Sequence, residues 1–401
     1  MRIALVTEVF LPAVDGVVTR LRRTLEELER CGDDVLLIAP AGGPASYAGA
    51  QIVGVPGVRM PLYPDGSGYP EKRVALPVEP LRTALGDFAP DVIHAINPFV
   101  LGAGAVAYAR RRHIPLVASY HANIAAYSHY YGLGALESLG WRYVVWLHNG
   151  ADLNLCTSAA TIDQLRARGI RRLELWPYGI ETARFSPRWA QPEWRNRLSA
   201  GHPERVILLC VGRLAKEKSF HRLLPVVRQV DGISLAIVGD GPLRPSLERS
   251  FAGTPTTFLG LLDGEALSRA YASADAFLFP SDTETLGMVM LEAHAAGLPV
   301  LAADTPAARE VVREGLDGVR YAPRDPSALV ASVRRLVEDQ PLREALSAGA
   351  RASVAGATWR HATDVLRGHY TAVSRVKGRS GQTDLPSSGL PAAHPASVAV
   401  P

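Results

Sequence analysis

The sequence predicts an α/β protein built from two open, doubly wound parallel sheets that face each other across a cleft. Short apolar segments typical of buried strands alternate with segments of helical length along most of the 401 residues. A chain of this length suggests two domains. A segment rich in Pro, Arg and Trp, residues 186–204, separates two such alternating units and is predicted to be the linker.

The first unit, residues 1–185, opens with a predicted strand and an amphipathic helix whose Leu21, Leu25 and Leu28 share one face. A Gly- and Pro-rich segment, residues 41–80, is more typical of a binding loop than of a core. The predicted elements are strand Arg2–Thr7, helix Val18–Cys31, strand Asp34–Ala39, short strands Gln51–Val55 and Arg59–Pro61, helix Pro80–Phe88, strand Asp91–Ala95, helix Leu101–Arg112, strand Leu116–Tyr120, a long helix ending near Gly150, strand Asp152–Cys156, helix 158–168 and strand 173–176.

The second unit, residues 205–355, repeats the same alternation, and a further helix follows it at residues 356–377. Residues 378–401 lack helical or strand periodicity and are predicted to be disordered. The predicted elements are a strand from Val206, a helix near 219–230, strands Ser234–Val238 and Thr257–Phe258, helix Glu265–Ala272, strand Ala276–Phe279, helix Leu286–Ala296, strand Val300–Ala302, and helices Pro341–Ala355 and Trp359–Lys377.

Composition narrows the class of protein. A hydrophobic content of 47% and a charged content of 20% are typical of a soluble globular chain. The net charge of +4 is too small to indicate nucleic acid, and no nucleic-acid partner is expected. Three cysteines without metal spacing favour a reduced, cytoplasmic setting, with no structural metal. No apolar run reaches the length of a membrane span. Glu8 interrupts the apolar N-terminal segment, whereas a signal peptide has an uninterrupted apolar core, so this segment is predicted to be the first strand.

The segment from Ala276 to Asp304 is the first candidate site. It predicts a buried strand, a loop, a helix and a second strand, with Ser281, Asp282 and Thr283 placed to cap the helix. Ligands of parallel sheets bind where strands end and helices begin, because the helix start favours anions. Glu284 and Glu292 follow in that place, and carboxylates there suit sugar hydroxyls.

Two cations follow another predicted strand of the second unit. Arg213 and Lys218 flank a loop after a strand that ends at Gly212, and such a pair suits a diphosphate. The turn Gly239–Pro242 also follows a strand, and by itself it is more typical of a structural turn than of a ligand contact.

These motifs together resemble the retaining glycosyltransferases of family 4, which have the GT-B fold. The segments GRLAKEKS, VGDGP, FLG and PSDTETLGMVMLEAHAAGLPV carry the resemblance, and Glu284 and Glu292 match the family's Glu-x7-Glu pattern. The runs MPLYPD, PDVIHAINPFVLG and GADLNLCTS are similar to the lipid-acting branch that includes sulfoquinovosyl-diacylglycerol synthases and mycobacterial mannosyltransferases. The resemblance implies that the C-terminal helix packs back on the first domain.

The resemblance also implies a role for each matching residue in binding the donor. The first domain has Asp15-Gly16 where the family often has two glycines. The implied set is Arg213 and Lys218 on the diphosphate, Glu292 on the ribose, Glu284 with the backbone of Thr285, Leu286 and Gly287 on the donor sugar, Gly260 and Leu261 against the base, Gly16 near the phosphates, and His121 over the sugar from the first domain.

Residues of the first unit are candidates for the acceptor. Each has an ordinary structural alternative, either packing at the lip of the cleft or lying in a solvated loop or helix face. The candidates are Tyr127, His129, Tyr130 and Tyr131 for stacking, Lys72 and Arg73 for an anionic acceptor, and Arg20, Arg22 and Arg23 for anionic lipid headgroups.

The sequence therefore predicts retaining transfer of a hexose from a GDP- or UDP-sugar to an acceptor, with an α-glycosidic product and no cofactor or essential metal. A membrane lipid such as diacylglycerol or a glycolipid is the expected acceptor, reached by peripheral contact with the inner face of the plasma membrane. A polysaccharide, a polyprenol-linked sugar and a secondary metabolite stay open as acceptors. A nucleotide-sugar epimerase, a phosphorylase and a non-catalytic carbohydrate-binding protein are the alternatives from other classes.

Overall fold

The computed structural model describes residues 1–13, 16–59, 73–75, 79–121, 137–282 and 287–379. Within these residues the chain forms two parallel sheets, each flanked by helices, so the predicted α/β class with two doubly wound domains is confirmed. A separate antiparallel ribbon joins two short strands of the first domain.

The first sheet has eight strands, and all of its pairs but the last are parallel. The strands of this domain are β1 (Arg2–Thr7), β2 (Asp34–Pro40), β3 (Ser46–Tyr47), β4 (Ala50–Val55), β5 (Gly57–Arg59), β6 (Arg73–Ala75), β7 (Val92–Ile96), β8 (Leu116–Tyr120), β9 (Leu153–Cys156) and β10 (Leu173–Leu175). Their order across the sheet is β10-β9-β8-β7-β1-β2-β4-β3, and β5 pairs with β6 in the ribbon. The strand predicted at Arg59–Pro61 lies instead at β5.

Helices cover both faces of this sheet. They are α1 (Gly16–Arg30), α2 (Glu79–Phe88), α3 (Val100–Arg112), α4 (Glu137–Asn149) and α5 (Ala159–Ala167). The buried leucines of α1 pack on one face, and those of α2, α3 and α4 pack on the other. The reversal of strand order at β1 places the carboxyl ends of β1 and β7 at a crevice, where open α/β sheets bind ligands.

The second sheet has six parallel strands in the order β13-β12-β11-β14-β15-β16. The elements of this domain are α6 (Pro192–Leu198), β11 (Val206–Val211), α7 (Leu224–Gln229), β12 (Ile233–Val238), α8 (Arg244–Ser250), β13 (Thr256–Gly260), α9 (Gly264–Ala272), β14 (Ala276–Phe279), α10 (Met288–Ala295), β15 (Val300–Ala303), α11 (Pro306–Val311), β16 (Gly318–Tyr321), α12 (Pro326–Glu338) and α13 (Gln340–Ser353). Strand β16 and helices α11 and α12 were not predicted from the sequence.

The last helix, α14 (Trp359–Arg379), packs on the first domain, as predicted. Tyr370 Oη lies 2.6 Å from His94 Nδ1 in the core below the first sheet. Arg367 donates to Asp33 at 2.7 Å, and Lys377 donates to Asp152 at 2.6 Å. These contacts span the helix and attach the end of the chain to the first domain.

The chain crosses between the domains twice, and the two crossings touch. Ile180 N donates to Ala357 O at 2.7 Å. A Cβ on Gly179 would lie 2.5 Å from Cα of Trp359, so only glycine permits this approach. The predicted linker, residues 186–204, follows the first crossing and includes α6, where Arg195 pairs with Asp275 of the second domain at 2.9 Å.

The structure places Arg20 in the core, which corrects its prediction as an exposed lipid-binding residue. Its side chain is 2% exposed, lies over the ring of Trp176 at 3.6 Å and donates to the carbonyl oxygens of Trp176 and Pro177. Burial lowers the pKa of Arg20 to about 9. Arg22 bonds to Tyr47, and Arg23 pairs with Glu26 and Glu181. No helix of the described residues has the length and apolarity that a membrane crossing requires.

Candidate active site

Helix α10 begins at Gly287, which is its N-cap in the left-handed conformation with φ 74°. A Cβ there would lie 2.7 Å from Met290 Cε and 3.0 Å from the ring of Phe279. Glycine is therefore required both by backbone geometry and by packing. The amide groups of the first helical turn are left without a side-chain cap from the described residues, as suits a site for an anion.

The predicted cap by Ser281 and Asp282 is wrong. Ser281 Oγ donates to the carbonyl oxygen of Glu217 at 3.1 Å. Asp282 pairs with Arg222 and Arg324, each at 3.1 Å. Although burial acts to raise it, these two arginines hold the pKa of Asp282 below its ordinary value. Both side chains therefore fix the chain directly after β14. Ser281 also connects it to residues 212–218, which follow β11 and which we call the basic loop.

The basic loop carries Arg213 directly after the end of β11 and Lys218 in a single 3-10 turn, Lys216–Lys218. Arg213 Nη2 donates to Glu217 Oε1, and Glu217 is buried. Burial raises the pKa of the Cys210 thiol, and the charge of Lys218 acts in the opposite direction, which places the Lys218 ammonium near the end of β11. Both predicted cations therefore lie at the carboxyl edge of the second sheet.

The Gly239–Pro242 turn supports this loop and has the structural role predicted for it. Leu214 N donates to Asp240 O at 2.9 Å, and Leu243 N donates to Leu214 O at 2.9 Å. A Cβ on Gly239 would lie 1.9 Å from the carbonyl oxygen of Gly212. The two loops therefore pack backbone against backbone, which fixes the path of residues 212–214.

Glu292 lies in α10, about one turn beyond its start, and accepts a hydrogen bond from Tyr271 Oη at 2.8 Å. Burial raises the pKa of Glu292 to about 7, against the hydrogen bond from Tyr271 and the charge of Arg184, which lower it. A carboxylate with this pKa exchanges its proton near neutral pH. Once ionised, its carboxylate oxygens accept hydrogen bonds from hydroxyl groups.

Gly260 and Leu261 lie where β13 ends. Gly239 N donates to Gly260 O at 2.8 Å, so the end of β13 is held beside the glycine turn. Leu261 is 56% exposed, which is unusual for a leucine at a strand end. An exposed apolar side chain at this edge suits contact with a flat ring.

The first domain faces this site through the start of α1. A Cβ on Gly16 would lie 3.1 Å from Met288 Sδ at the start of α10. The two helix starts therefore meet across the cleft, and their positive ends converge on the same space. At the far side of the cleft, Ala160 N in α5 donates to Glu310 Oε1 in α11 at 2.7 Å.

His121 follows β8 in the first domain, at the edge that faces the cleft. Its Nε2 is hydrogen-bonded to Ser119 Oγ at 2.8 Å, and its backbone N–H donates to Asn97 Oδ1 at 3.2 Å. Its ring packs edge-on against Trp176. Burial, and then the charge of Arg20, hold the pKa of His121 well below its ordinary value, so the imidazole is neutral at physiological pH.

Several predicted residues lie outside what the structure describes. Arg73 lies in β6, but its side chain is not described. Outside the described residues are Glu284, Thr285, Leu286, Tyr127, His129, Tyr130, Tyr131 and Lys72. The roles given to these residues stay predictions. Among the described residues, no group of three His, Cys, Asp or Glu side chains is arranged to hold a metal ion.

The structure adds supporting residues that the sequence analysis missed. Glu217 holds Arg213, Tyr271 holds Glu292, and Ser119 holds His121. Ser119 was visible as a polar residue at the end of a buried strand, two residues before His121. Tyr271 gave no such signal, because it lies in α9, remote in sequence from its partner.

Two facing Rossmann-like domains, a basic loop, an uncapped helix start and a buried carboxylate define the class of GT-B glycosyltransferases. Solved structures with this fold match nearly the whole chain. A sucrose-phosphate synthase of Thermosynechococcus elongatus has a TM-score of 0.78 and 20% identity, covering 94% of this chain and 99% of that chain. Anabaena HepE, in complex with UDP and glucose, has a TM-score of 0.74 and 19% identity, covering 93% and 100%.

The chain belongs to the family 4 glycosyltransferases, as the sequence motifs predicted. Glycosyltransferase Family 4 matches residues 14–184, and Glycosyl transferases group 1 matches residues 191–353. The chain is 36% identical to a sulfoquinovosyl transferase of Arabidopsis thaliana over 362 residues, which are 88% of this chain and 70% of that protein. It is 36% identical to a GDP-mannose-dependent alpha-mannosyltransferase of Mycolicibacterium smegmatis over 385 residues, covering 93% and 98%. An alpha-monoglucosyldiacylglycerol synthase of Streptococcus pneumoniae is 29% identical over 339 residues, covering 80% and 75%.

Proposed function

We propose that this glycosyltransferase moves a hexose from a nucleotide sugar to a membrane lipid with retention of the anomeric configuration. The observation that carries the proposal is the convergence of Arg213 and Lys218 with the start of α10 at one edge of the second sheet. These groups supply positive potential where a diphosphate leaving group develops charge. The donor is therefore a nucleotide sugar, either a GDP-sugar or a UDP-sugar.

The bond-breaking step needs the diphosphate to be held as its negative charge grows. Arg213 presents a planar guanidinium whose orientation Glu217 fixes, and Lys218 adds a point charge. With these two cations and the helix start, the reaction proceeds without an essential metal or other cofactor. Glu292 binds the ribose hydroxyls, while Gly260 and Leu261 contact the base.

Retention follows from attack on the same face from which the diphosphate departs. The departing phosphate accepts the proton of the acceptor hydroxyl, while the sugar passes through an oxocarbenium-like state. In this scheme Glu284 positions the donor sugar through its hydroxyls and does not form a covalent bond. His121 is neutral and lies on the acceptor side, so it contributes hydrogen bonding and not charge. The bond formed is an α-glycosidic bond.

The acceptor is proposed to be a lipid such as diacylglycerol or a glycolipid. Support comes from the relatives, of which one is a diacylglycerol-modifying synthase and another uses GDP-mannose. The enzyme would then work at the cytoplasmic face of a membrane, bound peripherally. No feature of the described residues favours a polysaccharide or a polyprenol-linked sugar over a lipid as the acceptor.

Proton NMR of the purified protein with a panel of GDP- and UDP-sugars tests the proposal. We expect one donor to be hydrolysed slowly in lipid-free buffer and consumed faster when mixed-lipid vesicles are added, with an α-linked product. Addition of EDTA should leave the rate unchanged. Hydrolysis that vesicles do not accelerate would contradict the lipid acceptor, and a β-linked product would contradict retention.

Two substitutions separate the roles of the site residues. Glu284→Gln should reduce turnover far more than nucleotide binding, because its carboxylate contacts the transferred sugar. Arg213→Ala should weaken nucleotide binding and also lower kcat by roughly 100-fold to 1,000-fold, as for loss of one donor to a developing charge. Calorimetric titration with nucleotide and initial rates measure both effects. Unchanged turnover in Glu284→Gln would show that the sugar-binding assignment is wrong.

A further inference from the structure

Helix α4 (Glu137–Asn149) presents two large apolar side chains to solvent. Leu139 is 61% exposed and Trp146 is 56% exposed, while Trp141 and Leu147 face the core. The two exposed residues are seven positions apart, so they lie on one face of the helix about 10 Å from each other. An exposed Leu and an exposed Trp on one helical face are more informative than a single exposed apolar side chain.

The residues between Leu139 and Trp146 add a positive charge and a second aromatic ring to this face. Arg142 is exposed, and the ring of Tyr143 stacks on that of Trp146 with centroids 5.9 Å apart. We call Leu139, Arg142, Tyr143 and Trp146 the α4 face. Aromatic rings with an amphipathic character next to an arginine are the residues enriched where a protein meets a membrane interface.

Arginines flank the α4 face on both sides. On one side, Arg168 lies over the ring of Trp141 at 4.3 Å, and Arg172 donates to the carbonyl oxygens of Asn149 and Ala151 at the end of α4. On the other side, the neighbouring helix α3 ends in three consecutive exposed arginines, residues 110–112, and contains no acidic residue.

Acidic groups near the α4 face are fewer, and two of them are paired with cations. Asp152 pairs with Lys377, and Asp163 pairs with Arg166. Other carboxylates nearby are Glu137 at the start of α4, Glu174 in β10 and Glu8, whose charge acts on Tyr143. The surface around the two apolar side chains therefore carries a net positive charge.

We propose that the α4 face docks on an anionic lipid surface, with Leu139 and Trp146 entering the headgroup region and the flanking arginines contacting lipid phosphates. Two apolar anchors among cations suit a fluid anionic surface, since a protein partner would call for a larger continuous apolar patch. The inference rests on the proposed lipid acceptor and names the surface by which the enzyme reaches it.

The position of α4 gives the docking a consequence for the active site. Tyr143 Oη donates to Phe99 O at 2.7 Å, at the start of α3. Glu8, at the end of β1, accepts from Phe99 N and Gly102 N there, each at 2.9 Å. The first half of α4 is therefore joined to the sheet edge that carries His121. Docking through α4 brings the acceptor side of the cleft to the membrane.

Sedimentation of the full-length protein with vesicles tests the surface. The vesicles contain equal amounts of phosphatidylcholine and phosphatidylglycerol, with pure phosphatidylcholine as the comparison. The double variant Leu139→Ser/Trp146→Ser should bind about tenfold more weakly, as expected from loss of one or two inserted apolar side chains. Leu316→Ser removes an equally exposed leucine of the second domain, 60% exposed, and should bind as the wild type does.

Charge is tested separately. Arg142→Gln should weaken binding to the anionic vesicles severalfold and reduce its salt dependence, while Arg249→Gln, an exposed arginine of the second domain, should change neither. Donor hydrolysis without lipid should be the same in all four variants, since none of them lies in the donor site. Equal thermal unfolding would show that the variants are folded.

Three outcomes would overturn the inference. They are binding of the double variant equal to that of the wild type, equal binding to neutral and anionic vesicles, or a wild-type dimer that the double variant dissociates without any vesicle binding. The proposed function fails differently, because the wild type then turns over no donor or transfers to no lipid. If the enzyme transfers sugar to lipid in detergent micelles, but substitutions in the α4 face leave vesicle binding unchanged, only the docking surface is wrong.

Discussion

Single residues of the site owe their chemistry to neighbours that lie far away in sequence. Burial raises the pKa of Glu292 to about 7, and Tyr271 donates a hydrogen bond to its carboxylate. Burial, and then the charge of Arg20, lower the pKa of His121, so its ring is neutral. Arg213 owes its orientation to Glu217. Removing the neighbour should therefore alter the acid–base state or the orientation of the functional group without deleting the group itself.

Glu292 gives the first prediction, a pH dependence of donor binding. Its raised pKa of about 7 means that the empty site favours the protonated carboxyl, whereas ribose hydroxyls favour the ionised one. Donor affinity should therefore rise with pH and be about tenfold weaker one pH unit below this pKa than well above it. Calorimetric titration with an intact nucleotide sugar, whose diphosphate does not titrate in this range, measures the effect.

The matched variant is Glu292→Gln, in which the pH dependence should vanish. The stability of the folded protein should change with pH in the opposite direction. Since the folded-state pKa lies above the ordinary 4.5, this group's contribution to stability falls as pH rises from 4.5 through 7. The wild type should thus lose stability relative to the variant over that interval. A pH dependence that survives in Glu292→Gln would assign it to another group.

Ser119 gives the second prediction. Its hydroxyl is fully buried and hydrogen-bonded to His121 Nε2, so it fixes the ring orientation. Ser119→Ala should lower kcat roughly threefold to tenfold, the value of one neutral hydrogen bond, with little change in nucleotide affinity. Nitrogen NMR of the His121 ring should show broader ring signals in the variant, because the ring is no longer held in one orientation. Ring signals as narrow as those of the wild type together with a normal kcat would remove Ser119 from any positioning role.

At the scale of elements, the start of α10 depends on one backbone conformation. Gly287 is the N-cap of this helix and has a left-handed backbone conformation. Phe279 and Met290 occupy the space that a side chain at this position would need. The basic loop and the glycine turn meet backbone to backbone beside it. These elements therefore form one rigid edge, and strain at one point should be felt in donor binding.

Gly287→Ala is the third prediction. A positive φ costs about 1–2 kcal/mol for a residue with a Cβ, and here the added methyl also meets Met290 Cε and the ring of Phe279. Gly232→Ala is the control, since Gly232 has φ 72° but open space around it. Urea unfolding should show a larger loss for Gly287→Ala, and only this variant should weaken nucleotide binding. Equal losses would mean that Phe279 and Met290 move aside freely.

At the scale of the whole molecule, contacts across the cleft link the two domains. Gly16 faces Met288 at one side, and Glu310 accepts from Ala160 N at the other. The two chain crossings touch at Gly179 and Trp359, and we expect the domains to rotate about this point. Contacts that form only across the cleft should therefore shift the balance between open and closed states.

Glu310→Gln is the fourth prediction. A carboxylate at an exposed helix start is worth about 0.3–1 kcal/mol, so its loss should reduce the closed population roughly twofold to fivefold. Small-angle X-ray scattering should show a larger radius of gyration for the donor-free variant, and KM for the donor should rise by a similar factor. Glu338→Gln, on α12 and away from the cleft, is the control. An unchanged radius and KM would show that this contact does not hold the domains together.

Local sequence patterns were sufficient to predict the class of fold, the family and most strands and helices, with bounds close to those observed. Periodic burial and strand-ending glycines are local patterns, so they predict elements such as β1 and β14 to the residue. Motif spacing likewise predicted Arg213 and Lys218 as site residues, and the family's Glu-x7-Glu pattern predicted Glu292. The structure places both cations in the loop after β11, and the donor-binding roles of all three residues stay predictions.

The pairing of polar groups and the burial of individual side chains, in contrast, depend on how distant segments pack together. Arg20 sits in a helix whose sequence suggests an exposed basic face, yet the crossing at Trp176 and helix α14 cover it. Ser281 and Asp282 have the sequence of a helix cap, but partners 60 or so residues away compete for them. Burial and hydrogen bonding depend on contacts between distant segments, and no local pattern encodes the free energy of those contacts.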